Sequence, residues 1–164
     1  MAEPFDLVIK NARIVRPNKT SVDCLDIAVS DGKIDRIAPD IRAEQAKEIF
    51  DAKNYLAFPG CVDAHMHVGI YQPLAQDAVS ESKAAAMGGV TSSLNYIRTG
   101  QYYLNRGGPY RTFMPEVFKQ SDGRFWVDYG YHVAPIEAQH IDEMGHLAVD
   151  HGVTSFKIFM FYGG

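Results

Sequence analysis

Residues 61–97, CVDAHMHVGIYQPLAQDAVSESKAAAMGGVTSSLNYI, decide the fold. CVDAHMHV (61–68) predicts a strand, and a helix follows over about 76–87, favoured by Ala84, Ala85 and Ala86 and stopped by Gly88-Gly89. VTSSLNYI (90–97) is strand-like again. Downstream, FWVDYGYHVA (125–134) and VTSFKIFMF (153–161) predict two more strands. A loop over 99–123, with one short helix near 113–120, precedes the first of these. Before the second, Ile141, Met144 and Leu147 share one face of a helix predicted over about 138–150, which Gly152 can close. Alternating strands and helices with buried strands imply a parallel sheet, open or closed as a barrel.

Residues 5–60 have a different rhythm of short apolar runs. Asp31-Gly32 lies between AVS and KIDRIA, the signal for a two-residue hairpin because both turn positions take positive φ. A further run, Glu48 to Phe58, ends at Pro59-Gly60. Residues 1–57 are thus expected to form a small antiparallel sheet, part of a β-sandwich, ahead of the α/β region over 58–164.

The composition is that of a globular chain: 46% hydrophobic and 22% charged residues exclude a disordered or collagenous class. The charge, 16 − 20 = −4, does not imply a nucleic-acid partner. No stretch suits a membrane-spanning helix, and no signal peptide is visible in MAEPFDLVIKNARIV. Cys24 and Cys61 do not make a disulfide framework, which points to a cytoplasmic setting.

Two features carry chemistry. His65 and His67 stand at i and i+2 of a strand, so both imidazoles face one side, where they can grip a metal such as zinc at about 2.0–2.1 Å. Asp63, one step earlier on that face, is a candidate to orient an imidazole. Lys157, inside SFKIFMF, is expensive to bury as an ammonium; discharged, its amine can take up carbon dioxide as a carbamate. From residue chemistry alone the bland readings stay open: a structural histidine pair, and a lysine whose head snorkels to water. His132 reads as a core histidine, and His140, His146 and His151 as solvated. Tyr102, Tyr103 and Tyr110, with Arg106 and Arg111, suit either a lid at the mouth of a barrel or a subunit contact.

FPGCVDAHMH, KAAAMGGVTSSLNY, VDYGYHVA and GVTSFKIFM together resemble the amidohydrolase superfamily, and within it the hydantoinase/dihydropyrimidinase branch. DLVIKNARIV and DIAVSDGKIDRIAPDI resemble that branch's opening strands, so the likeness covers essentially the whole chain. It implies part of a small β-sandwich followed by the first half of a (β/α)8 TIM-type barrel. It also implies two divalent metal ions, most simply zinc, with His65 and His67 as ligands and Lys157 N6-carboxylated as their bridge. Tyr162 takes the place of the substrate-polarising tyrosine. The implied reaction is hydrolytic ring opening of a small cyclic amide or imide by a metal-bridging hydroxide, in a homo-oligomer, a tetramer by resemblance. The alternatives are a non-catalytic dihydropyrimidinase-related scaffold and a mononuclear amidohydrolase or deaminase.

Departures narrow the substrate. Dihydroorotase-like enzymes carry an arginine two positions after the second histidine, where this chain has Gly69, so an uncharged ring fits better. The family's aspartate proton shuttle and two further histidine ligands have no counterpart in these 164 residues. A closed barrel takes about 250 residues. The chain is therefore expected to be truncated and, alone, inactive.

Overall fold

The computed structural model describes residues 4–160, which leaves Tyr162 outside the described residues. Two compact units meet in sequence between Pro59 and Gly60.

The first unit is a sheet of β1 (Phe5–Ile14), β2 (Asp23–Ser30), β3 (Lys33–Ala38) and β4 (Ala46–Asp51) in the order β3-β2-β1-β4, with β5 (Leu56–Ala57) also on β1. Asp31 and Gly32 turn the β2–β3 hairpin at φ +50° and +69°, with Ser30 opposite Lys33, as the dipeptide predicts. The expectation of an antiparallel sheet is corrected: β4 and β5 run parallel to β1. The chain leaves β3 on one edge and returns through a 3-10 turn (Ala43–Gln45) to the far side of β1, and strand direction there follows from a non-local pairing that no residue run encodes.

A bulge in β1 sets the core. Between Ile9 and Ala12 the register gains one residue against β2, and Asn11 takes φ +56°. That extra residue turns Ala12 and Ile14 to the same face as Ile9, where they pack with Ile27 and Ala52; Val8, Ala28 and Ile41 cover the other face. Buried Asp26 binds the bulge, accepting from Asn11 N (2.9 Å), Ile41 N (2.9 Å) and Lys10 Nζ (2.5 Å).

The second unit has four parallel strands in sequence order: β6 (Cys61–His67), β7 (Val90–Ile97), β8 (Asp128–Val133) and β9 (Ser155–Phe156). Helices α1 (Leu74–Met87), α2 (Tyr110–Ser121), α3 (Ala138–Asp142) and α4 (Met144–His151) fill the crossovers. Phe113, Met114, Val117, Leu147 and Val153 build the core they share with the sheet.

The helix predicted over 138–150 is broken at Glu143. Its buried carboxylate accepts from Tyr110 N (2.7 Å) and Arg111 N (3.0 Å), satisfying amides left without partners at the start of α2. Gly152 then ends α4 at φ +65°, as predicted. His140 is not solvated as expected but fully buried. Its Nδ1 accepts from Ile136 N and Glu137 N, both at 3.2 Å, and Nε2 faces Gly108 O at 3.2 Å. The expected strand over 153–161 is also shorter: only Ser155 and Phe156 pair fully with β8, and Lys157 N adds one more bond to Val133 O (2.9 Å).

Candidate metal centre

Register brings the chemistry together. Across the parallel sheet, His67 is paired with Tyr96, Tyr96 with His132, and His132 with Ser155; Lys157, two residues on, shares Ser155's side of the strand. The row lies at the C-terminal ends of the strands, where parallel α/β sheets build their sites. β6 gains one residue against β7 between Asp63 and Met66, a bulge that re-aims His65 toward this row.

Three nitrogens converge there. Lys157 Nζ donates to His65 Nε2 at 2.9 Å, and His67 Nε2 lies 3.0 Å from the same atom. Since His65 Nε2 accepts from the lysine, its ring proton sits on Nδ1, which donates to His132 Nε2 at 2.8 Å. Tyr96, 2% exposed, floors the cluster, its ring 5.0 Å from His67 and 5.9 Å from both His65 and His132 between centroids. Lys157 Nζ lies 4.8 Å from the ring centres of Tyr96 and Phe159, within cation–π reach.

Burial, reinforced by the charge on Lys157, pushes the pKa of His65 below the ordinary histidine value. His67 and His132 move the same way, again mainly by burial and then by neighbouring cationic groups. Burial raises the Tyr96 phenol to about 12. Neutral imidazoles are the form that binds metals.

The donor set fits a divalent ion. One ring nitrogen has one in-plane lone pair, so His65 Nε2 cannot serve both close neighbours as a hydrogen-bond acceptor. Two nitrogens each about 2.0–2.1 Å from a shared ion lie about 3.3 Å apart at a tetrahedral angle, so the pair, 3.0 Å apart, needs only a small opening to hold one. Among the described residues, no three His, Cys, Asp or Glu side chains complete such a site, and Lys157 Nζ is the further nitrogen beside the pair.

Four sequence expectations change here. Asp63 does not orient an imidazole; its Oδ1 accepts from His65 N (3.0 Å) and holds the backbone at the bulge. His132 supplies the ring contact instead. It is buried like a core histidine, yet it faces the site, and only the β7–β8 register reveals this. Lys157 is half-buried just past β9 rather than enclosed within an apolar strand. Tyr103 and Tyr110 are buried rather than forming a rim, while Tyr102 is exposed.

No family model matches the chain. A D-hydantoinase of Geobacillus stearothermophilus is 31% identical over 162 residues, 94% of this chain and 32% of the relative. An allantoinase of Escherichia coli O1:K1 / APEC is 31% identical over 161 residues, 95% of this chain and 32% of the relative. The crystal structure of dihydropyrimidinase from Brevibacillus agri NCHU1002 superposes with a TM-score of 0.77 at 26% identity, covering 96% of this chain and 33% of that one. These likenesses support a hydantoinase-like branch of the amidohydrolase superfamily. It spans about a third of the length of the curated relatives it matches.

In this hydantoinase-like chain Gly69 closes β6 at φ +79°, and its N–H donates to buried Asp77 Oδ2 at 2.8 Å. A Cβ there would lie 3.2 Å from Leu74 Cβ. No arginine fits this backbone without strain. Gly69→Arg is expected to cost about 1–2 kcal/mol of stability from the left-handed conformation alone, read as a lower denaturant midpoint at unchanged slope. Beside the histidines, a cleft of about 550 Å³ is lined by Arg98, Pro135, Ile136, Lys157, Ile158 and Phe159.

Proposed function

We propose that the whole protein opens a small cyclic amide or imide ring of the hydantoin or dihydropyrimidine type by metal-dependent hydrolysis. The observation that carries this reading is the convergence of His65 Nε2, His67 Nε2 and Lys157 Nζ at the C-terminal ends of parallel strands. The named relatives, a D-hydantoinase and an allantoinase, support the substrate class.

In this reading His65 and His67 hold divalent metal, zinc in the simplest case, and Lys157 joins them as an N6-carboxylate. The lysine amine adds to carbon dioxide through a new N–C bond and gives up a proton, which leaves an anionic oxygen donor on a long arm. Bound metal supplies a nucleophile by lowering the pKa of water and polarises the ring carbonyl. His132 keeps His65 in the tautomer whose Nε2 lone pair is free. Tyr96 and Phe159 wall the lysine head with aromatic faces. Tyr162 is the proposed donor to the developing oxyanion. A cytoplasmic homo-oligomer, a tetramer by resemblance, completes the proposal.

The test is metal-dependent turnover by the full protein. Chelation is expected to abolish ring opening of hydantoin or dihydrouracil, and zinc with bicarbonate to restore it. Turnover of these rings that survives chelation, or its absence from the zinc-loaded protein, contradicts the reading.

A further inference from the structure

Resting on that functional reading, we propose that Tyr103 is a positioning residue for His67, its phenol oxygen accepting a hydrogen bond from Nδ1–H so that Nε2 points its lone pair into the metal site. A neutral imidazole carries one N–H. If Nε2 is to bind a cation, that hydrogen sits on Nδ1 and needs an acceptor. Tyr103 Oη lies 3.2 Å from His67 Nδ1, and among the described residues no other polar partner is recorded for that nitrogen. The arrangement parallels His65, whose Nδ1 is met by His132.

Tyr103 is held firmly. It is 2% exposed, meets Tyr96 edge-on at 5.4 Å and 87°, and carries the Arg98 guanidinium 5.6 Å above its face. Burial raises its phenol well above the ordinary tyrosine value, which keeps it a neutral hydroxyl.

The loop that delivers Tyr103 is strained. Tyr102 and Leu104, on either side, lie at φ +78° and +56°, and Asn105 follows at +47°. For residues with a Cβ, each such position costs about 1 kcal/mol or more. Gly100 N donating to Arg106 O (2.8 Å) closes the loop, and Tyr102 N donating to Asn105 Oδ1 (3.0 Å) braces it. The left-handed pair turns the intervening side chain inward beneath the histidine while Tyr102 stays outside. A tyrosine needed only to fill the core would work equally well as phenylalanine, which separates the two roles.

The experiment compares Tyr103→Phe with Tyr110→Phe in the full protein. Tyr110 is a buried phenol that donates to Ala134 O (2.5 Å) and has no recorded contact with His67. Binding of Zn2+ is measured by chelator competition, and the ligand-field absorption of bound Co2+ is recorded. Tyr103→Phe is expected to weaken metal binding about 10–100-fold and shift the Co2+ spectrum. Tyr110→Phe is expected to lower stability while leaving both metal readouts unchanged. Wild-type affinity and an unaltered Co2+ spectrum in Tyr103→Phe overturn the proposal. Should that variant not fold, 15N spectra of histidine-labelled wild type with zinc decide: a proton on His67 Nδ1 is expected, and one on Nε2 overturns it. A wild type that binds no metal overturns the functional reading and this role with it.

Discussion

Lys157→Ala is expected to reduce bound metal below the level of the parent protein and to lower ring opening by about a thousandfold or more, because the proposed reaction depends on metal to make water nucleophilic near neutral pH. The lysine head stands 2.9 Å from His65 Nε2, against Tyr96 and Phe159, and alanine removes every atom that reaches the histidines. His65 and His67 remain, but two imidazoles leave half of a tetrahedral shell to water or other ligands. Elemental analysis and turnover of the same sample check both halves of the expectation. A variant with unchanged metal content and unchanged rate favours a mononuclear amidohydrolase, in which the lysine has no bridging duty.

Asp26→Ala is expected to destabilise the first unit by about 3 kcal/mol, the scale for breaking a buried ion pair from one side. The deletion leaves the amides of Asn11 and Ile41 without their acceptor and Lys10 with only Asp40 and Ile41 O. Burial works against ionisation of Asp26, yet the hydrogen bonds from Lys10, Ile41 and Asn11 outweigh it and hold its pKa below the ordinary aspartate value. A group depressed on folding adds stability above its unfolded pKa of about 3.9 and loses it as pH falls through the lower folded value. Lys10 moves the other way: its pKa is raised, chiefly by Asp26, so its contribution is lost only at the alkaline end, as pH rises through the folded value. Wild type should therefore lose stability on acidification across that window, and Asp26→Ala should show a smaller loss. Denaturant melts across pH 2–6 measure the difference, and parallel curves would refute the assignment.

What the sequence made legible was local. Asp31-Gly32 fixes its own turn because both residues accept positive φ, and Gly152 ends its helix for the same reason. Strand–helix alternation after Gly60 was legible because each run carries its own period. So was the shared face of His65 and His67, which only needs a strand.

The features that escaped are those in which one element serves another. The break at Glu143 answers the unpaired amides at the start of α2, more than thirty residues earlier. Burial of His140 depends on Gly108 and on the turn at Ile136 and Glu137. The parallel course of β4 is set by which side of β1 it reaches. His132 joins the site only through its register with Tyr96, and Asp63 turns to the backbone because β6 bulges at His65.

Metal counting on the intact wild-type protein tests the account most directly. Purified with zinc and bicarbonate, the full protein is expected to hold about two divalent ions per subunit, the stoichiometry of a two-metal hydrolase. A well-folded wild-type protein that holds none under those conditions contradicts it.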